Sequence, residues 1–385
     1  MKVAVVHDWL PFWGGAESVL EQILECYPEA DLYVLCDFLS EEQRARLKCR
    51  SIHTSFIQRL PFARRRFWYY LPWMPCAIEQ FDLSNYDLVI SSSHSVAKGV
   101  LTRPDQVHVS YVYSPMRYAW DLYHQHMRRS GYGAGLRSWW IKWVMHYLRI
   151  WDVRTANGVD AYAADSAFVA RRIWKTYRRE AAVIYPPASI ERFALHERKE
   201  DFYLCVSRLV SYKCIDLIVS AFSEMKDKRL VVIGDGPELR RLQRMAGSNV
   251  EILGYGTDEV VQYYMQRARA FLFAAEEDFG IVLIEAQACG TPVIAYGRGG
   301  ATETVVPMGS PEPTGVLFDE QSPAAIVTAV GVFERNRHVF ASRNCRNNAE
   351  RFSKEQFRRT FSAFVTASSV RETPHQIARQ RGLPG

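Results

Sequence analysis

The sequence has no apolar run of roughly 18 or more residues, so no segment reads as a transmembrane helix. Cys-x-x-Cys pairs and histidine clusters at zinc spacing are also missing. The eight cysteines are scattered as Cys26, Cys36, Cys49, Cys76, Cys205, Cys214, Cys289 and Cys345, which reads as reduced cytosolic thiols rather than a disulfide framework or a zinc site. Neither half carries Gly-x-Gly-x-x-Gly, which argues against a dinucleotide-dependent dehydrogenase. No helix-turn-helix, RNP or zinc-finger pattern occurs, so nucleic acid is not an expected partner. The apolar part of Met1–His7 is too short for a signal peptide, meets Asp8 at once and reads as a first strand. The charge imbalance is small. With 48 Lys and Arg against 42 Asp and Glu, the formal charge of +6 suits an anionic substrate or an anionic membrane surface.

What remains is a globular composition, 48% hydrophobic and 23% charged over 385 residues, long enough for two domains. Strand-like apolar runs alternate with helical segments throughout. The break falls at Pro186-Pro187 and the polar, charge-rich stretch 189–201. We read 1–188 as one domain and 189–350 as a second. Residues 351–371 read as a closing helix returning to the first domain, and 372–385 as a disordered tail.

In the first half, Gly14-Gly15 opens a helix directly after the first strand, an arrangement that suits an anion. A strand at Tyr86–Ile90 runs into Ser91-Ser92-Ser93-His94-Ser95. Another at Val107–Val112 runs into Tyr113-Ser114-Pro115-Met116-Arg117-Tyr118. Such carboxyl-end loops meet ligands if the sheet is parallel. Arg117 suits an acceptor phosphate, against a plain surface salt bridge. His94 and His108 each have a structural reading beside an acceptor-side one. Residues 56–74 and 136–151 interleave bulky aromatics with cations. Rings and cations together suit a membrane interface. For 59–74 we expect peripheral contact with a bilayer. For 136–151 we expect an amphipathic helix with one buried face and solvated arginines.

In the second half, Arg208 and Lys213 flank a strand–helix turn, placed to reach one diphosphate. The densest pattern is Glu276-Glu277-Asp278-Phe279-Gly280-Ile281-Val282-Leu283-Ile284-Glu285, followed by Ala288-Cys289-Gly290-Thr291-Pro292-Val293-Ile294. It reads as strand end, acidic loop, helix over 281–288, tight turn and strand. Glu285 should fall about two turns along, near the face that begins at Glu277. Free N–H groups at a helix start favour an anion, whereas two carboxylates beside it favour hydroxyl donors. An anion and several hydroxyls together describe a nucleotide sugar.

This stretch resembles the signature of retaining GT-B glycosyltransferases of family 4, because the acidic pair, the Phe-Gly and the Gly-x-Pro-Val all fall at that family's spacing. The resemblance runs from Gly14-Gly15 to the closing helix. It implies an α/β protein of two Rossmann-like, doubly wound domains facing across a cleft. It also implies roles. Glu277 would hold donor-sugar hydroxyls and Glu285 the ribose. The amides of Phe279 and Gly280 would meet the sugar, and those of Ile281 and Val282 the diphosphate. Arg208, Lys213 and the Gly14 and Gly15 amides would stabilise the leaving nucleoside diphosphate, with no metal and no other cofactor; no Asp-x-Asp motif with a metal role occurs. Ser207 and Cys214 stand where the family's Arg–Lys segment has glycines, and Tyr113 stands where it has an active-site histidine, which puts any role needing imidazole there in doubt. The Pro115-Met116-Arg117-Tyr118 segment is similar to GDP-mannose enzymes of polysaccharide and O-antigen (lipopolysaccharide) assembly. The implied function is a mannosyltransferase at the cytoplasmic face of the inner membrane, acting on a glycan or a polyprenyl-diphosphate-linked acceptor. UDP-sugar transfer, an epimerase or phosphorylase of the same fold, and a non-catalytic glycan-binding module stay open.

Overall fold

The computed structural model describes residues 1–124, 127 and 135–370. The tail expected at 372–385 lies outside the described residues. The chain forms two compact units: Met1–Tyr185 with the chain from Phe357 on, and Pro186–Gln356.

The first unit is built on seven parallel strands. They are β1 (Val3–His7), β2 (Asp31–Val34), β3 (Ser51–Thr54), β4 (Leu88–Ser93), β5 (Val107–Val112), β6 (Ala161–Ala164) and β7 (Ala181–Val183), in the order β3-β2-β1-β4-β5-β6-β7. Successive side chains of β1 enter opposite faces. Val3 and Val5 pack with Leu20 and Ile23 of the helix Gly15–Cys26, and with Phe357, Phe361 and Val365 of the closing helix Lys354–Ser369. Ala4 and Val6 pack with Met74, Ile78, Leu148 and Trp151 on the other side. Both faces are covered, so β1 begins as an unbroken apolar run, Val3–Val6, while β4 is apolar over Leu88–Ile90 and turns to Ser91-Ser92-Ser93 at its carboxyl end. Strand β3 had no such signal. It is an edge strand with half-exposed residues, so burial imposes no pattern on it.

The two aromatic stretches take different forms, and the second is the helix with one buried face that was expected. Residues 56–73 wind as short turns: Phe56–Arg59, Ala63–Arg66 and Phe67–Trp73. Residues 136–151 lie within a helix, Leu136–Thr155, whose inward face is Val144, Met145, Leu148, Trp151 and Asp152. That phase turns Leu136, Trp139 and Trp143 outward, with Trp140 at the border. The outward face is therefore a tryptophan face, with Trp139 64%, Trp140 51% and Trp143 47% exposed.

The second unit has six parallel strands: β8 (Tyr203–Val206), β9 (Leu230–Ile233), β10 (Val250–Gly254), β11 (Ala270–Phe273), β12 (Val293–Tyr296) and β13 (Gly315–Phe318). Their order is β10-β9-β8-β11-β12-β13. The winding repeats that of the first six strands of the first unit. In such sheets ligands bind beyond the carboxyl ends of the strands where the order reverses. Those points are β1/β4 in the first unit and β8/β11 in the second.

Candidate functional site

At the β8/β11 point two loops meet. One leaves β8, turns through the short helix Ser211–Lys213 and enters the helix Ile215–Glu224. The other leaves β11 and enters the helix Ile281–Ala288. Lys213 of the first loop pairs directly with Glu277 of the second, both about four-fifths buried. Arg208 lies exposed on the same loop, where its guanidinium donates to the Tyr212 hydroxyl at 2.6 Å. The backbone fixes this loop to the turn after β9: Leu209 N–H donates to Asp235 O at 2.9 Å.

Gly280 adopts φ 86°, and the helix starts immediately after it. Glu285 therefore stands just over one turn into the helix, not two, because Glu277 belongs to the loop. The Glu285 carboxyl is pushed up to about 7 by burial, with Arg192 opposing and Asp258 adding to the effect. Phe279 is buried against the Phe352 ring at 5.6 Å. A further pair positions the acidic loop. Gly299 bridges Glu277, and Gly300 N–H donates to Glu277 O at 2.8 Å. A Cβ at Gly299 would stand 2.2 Å from the Glu277 carbonyl oxygen, and one at Gly300 would stand 2.3 Å from the Phe279 backbone. Only glycine allows this approach.

At the β1/β4 point of the first unit a polar network is buried. Asp8, directly after β1, accepts four backbone N–H groups: His94 (2.6 Å), Ser95 (2.9 Å), Val96 (2.6 Å) and Ala97 (2.7 Å). His94 Nδ1 lies 3.1 Å from Asp8 Oδ2, and the ring is 28% exposed. Burial holds its pKa below the usual histidine value, against the pull of Asp8. His7 Nδ1 meets Ser92 Oγ at 3.0 Å, and its Nε2 stands 3.9 Å from Glu17. Tyr113 shares Ser92 Oγ at 2.8 Å and donates to Ala16 O at 3.0 Å. Burial raises its phenol well above the usual range, so it stays a neutral hydroxyl. The Tyr113 and His94 rings are 6.1 Å apart. His108 is structural. It is fully buried between Ser91 Oγ and Gly158 O, and burial pushes its pKa down to about 4. Arg117 lies half-buried after β5.

The structure thus joins Lys213 with Glu277, and His94 with Tyr113. It adds residues that sequence reasoning passed over: Asp8, His7, Glu17 and Ser92 in the first unit, and Gly299 and Gly300 in the second. Asp8 had a signal, an acid ending an apolar strand at the edge where α/β sheets bind. Ser92 lay in a loop already expected to meet a ligand, and the others had no signal until the loops were seen to touch.

Residues 188–352 match the family model described as Glycosyl transferases group 1. The match lies within the second unit. Among curated relatives, a GDP-mannose-dependent alpha-(1-6)-phosphatidylinositol monomannoside mannosyltransferase of Mycolicibacterium smegmatis is 31% identical over 214 residues, 46% of this chain and 54% of the relative. A D-inositol 3-phosphate glycosyltransferase of Geodermatophilus obscurus is 29% identical over 59% of this chain and 56% of its own. The chain thus matches little more than half the length of these relatives. Among solved structures, HepE of Anabaena in complex with UDP superposes with a TM-score of 0.67 over 95% of this chain and 100% of its own, at 16% identity. Sucrose-phosphate synthase from Thermosynechococcus elongatus gives 0.68 over 95% and 99%, at 16% identity. The fold is GT-B, two parallel-sheet α/β units.

Proposed function

We propose that the protein is a retaining, metal-independent glycosyltransferase that moves mannose from GDP-mannose to a glycan or lipid-linked acceptor in surface-polysaccharide synthesis. The observation that carries this is the Lys213–Glu277 pair beside the Gly280 helix start. A cation and a carboxylate at one helix N-terminus suit a ligand that offers phosphate and hydroxyls together. The mannose assignment draws on the relatives that bear GDP-mannose in their names.

The chemistry follows from the residues. The free N–H groups at Ile281 and Val282 and the Lys213 and Arg208 cations take the diphosphate. As Lys213 turns to phosphate, Glu277 is released to accept hydrogen bonds from the donor-sugar hydroxyls. Glu285 accepts from the ribose hydroxyls. Charge that develops on the departing diphosphate meets preformed donors, the arrangement that lowers such barriers most. The acceptor hydroxyl is deprotonated by the leaving phosphate on the same face of the sugar, so no enzymic nucleophile is required and the configuration is retained. The acceptor lies with the first unit, where Tyr113, His94 and Arg117 offer hydrogen bonds. The helix-opening amides of Gly14 and Gly15 offer a second anion site in the same unit. No helix among the described residues is long and apolar enough to cross a membrane. We place the protein on the inner face of the cytoplasmic membrane through its cationic, aromatic surface.

The test is a thermal-shift series with GDP, UDP, ADP and NAD, each with and without EDTA. Stabilisation by GDP alone, unmoved by EDTA, supports the reading. A shift with UDP instead would move the donor to UDP-sugars. No shift with any nucleotide would overturn the donor site.

A further inference from the structure

Two segments distant in sequence come together on the first unit around one apolar groove. It is lined by Trp68, Tyr69, Leu71 and Pro72 from the turns after Arg66, and by Trp140, Ile141 and neighbouring residues of the helix Leu136–Thr155, with a volume of about 540 Å³. That volume is in the range of small-molecule sites. Its rim is unusually apolar for a protein surface. Of the lining, Trp68, Tyr69 and Trp140 are half exposed or more, and Trp73, Trp139 and Trp143 on the same two segments are also about half exposed or more. Large apolar side chains left exposed around a concavity mark a binding site more often than a plain surface.

The two lining segments carry charge of one sign, with Glu79 and the buried Asp152 just past their ends. From Phe56 to Ile78 the chain holds Arg59, Arg64, Arg65 and Arg66 and no carboxylate; from Leu136 to Trp151 it holds Arg137, Lys142 and Arg149 and again none. Arg137 lines the groove, and the Arg66 guanidinium lies 5.8 Å from the Tyr69 ring centre. Arg64, Arg65 and Arg66 are exposed. Tryptophan and tyrosine are the side chains that settle at the headgroup level of a bilayer, and arginines at that level attract anionic headgroups. A bare membrane-binding surface has no need of a concavity. A concavity walled by aromatic and aliphatic side chains, with cations at its mouth, matches one hydrocarbon chain carrying a phosphate at its end.

We infer that this groove between the Phe67–Trp73 turns and the tryptophan-bearing helix holds the hydrocarbon chain of a phosphate-bearing lipid acceptor at an anionic bilayer, with the arginines at its mouth on the phosphate. The inference rests on the glycosyltransferase reading for calling that lipid an acceptor. Lipid binding itself does not depend on it. The groove draws one lipid chain out of the bilayer, and the exposed tryptophans anchor the protein at the interface.

The test uses the full chain. Farnesyl phosphate, farnesol and inorganic phosphate are titrated by calorimetry. Sedimentation is measured with vesicles of phosphatidylglycerol and phosphatidylcholine in equal parts, and with phosphatidylcholine alone. Farnesyl phosphate should bind, inorganic phosphate should not, and the mixed vesicles should carry down more protein than the neutral ones. Ile141→Trp fills the groove and should weaken farnesyl phosphate by about tenfold or more while leaving vesicle sedimentation largely intact. Trp140→Glu, on an exposed position that spares folding, should weaken both. Arg64→Glu/Arg65→Glu/Arg66→Glu should abolish the preference for anionic vesicles. In each variant the nucleotide thermal shift should persist, which separates this test from that of the donor site. Farnesyl phosphate binding that Ile141→Trp and Trp140→Glu leave unchanged would overturn the groove. So would inorganic phosphate binding as well as the lipid does. A dimer that Trp140→Glu dissociates, with no lipid bound, would give the face to a second copy of the chain instead.

Discussion

Glu285 offers the sharpest test of the donor site, because its proposed function and its energetics pull in opposite directions. Its carboxyl stands at about 7 against a usual value of 4.5, raised by burial. Below pH 4.5 the group is protonated both folded and unfolded, and it contributes nothing to the pH dependence. Between 4.5 and 7 the unfolded chain releases the proton while the folded unit keeps it, so stability falls as pH rises through this window. Above pH 7 the folded unit carries a buried carboxylate that costs about 3 kcal/mol. Glu285→Gln removes the titration. The variant should match the parent near pH 4 and be more stable at pH 8 by about 2–3 kcal/mol, on the order of 5–10 °C in the melting of a unit of this size. It should also weaken the nucleotide diphosphate by about tenfold or more, since the ribose loses a charge-assisted acceptor. The assay is urea unfolding of both proteins at pH 4.5, 6 and 8, with nucleotide titrations at pH 8. A variant no more stable than the parent at pH 8, or a parent whose stability is flat from pH 4.5 to 7, would refute the reasoning. A more stable variant with undiminished nucleotide affinity would keep the burial argument and sink the ribose role.

Lys213→Ala should lower turnover by about a hundredfold or more by removing a donor to the leaving diphosphate, and steady-state kinetics should show the loss in kcat rather than in acceptor KM. Gly299→Ala should destabilise the second unit by about 2–4 kcal/mol, because its Cβ meets the Glu277 carbonyl at a backbone φ of 67°, with nucleotide affinity falling in parallel in the same melting series. Asp8→Asn should destabilise the first unit by about 2–4 kcal/mol in urea unfolding, since an amide turns one acceptor into a donor facing four N–H groups. Brief alkylation of the native protein followed by mass spectrometry should label the exposed Cys76 and spare Cys36, Cys205, Cys289 and Cys345, whose thiols burial pushes up to about 12.

Most of the βα rhythm was legible because buried parallel strands advertise themselves. Val3–Val6, Leu230–Ile233 and Ala270–Phe273 are unbroken apolar runs, and turn residues bound the helices between them. The helix Ile281–Ala288 was expected at its observed limits because Gly280 and Gly290 punctuate it. Where the structure departed, a tertiary fact decided. Strand β3 pairs at an edge, so no face had to be apolar. In the helix Leu136–Thr155 one buried face was expected, but tryptophans and aliphatic residues fall on more than one side, so which of them would be buried was not legible. Packing of Leu148 and Trp151 set it, and three tryptophans were left outside. Arg208, Lys213, Glu277 and Glu285 stood out in the sequence by residue type and spacing. That Lys213 and Glu277 would pair was not, since they stand on different loops and only the β8–β11 adjacency brings them together.

The same winding serves the two units differently, and one side chain explains why. In each sheet the loops beyond the reversal point present backbone N–H groups that suit an anion. In the second unit those amides begin a helix, and the carboxylate nearby, Glu277, is held by a lysine on another loop, so both charges can be drawn to a ligand. In the first unit the anion is already part of the chain. Asp8 fills the amides of residues 94–97 with its own carboxylate, and what the loop then presents is His94, Ser92 and Tyr113, groups that bear no charge at neutral pH when buried as these are. A filled anion site edged by neutral donors and acceptors is suited to hydroxyls, which is the chemistry an acceptor sugar offers. If so, Asp8→Ala should not merely destabilise the first unit. It should open the amides of 94–97 to inorganic phosphate, which competition against the acceptor would reveal, while the nucleotide shift of the second unit stays where it was. Phosphate that leaves acceptor use untouched in this variant would show that Asp8 is structural alone.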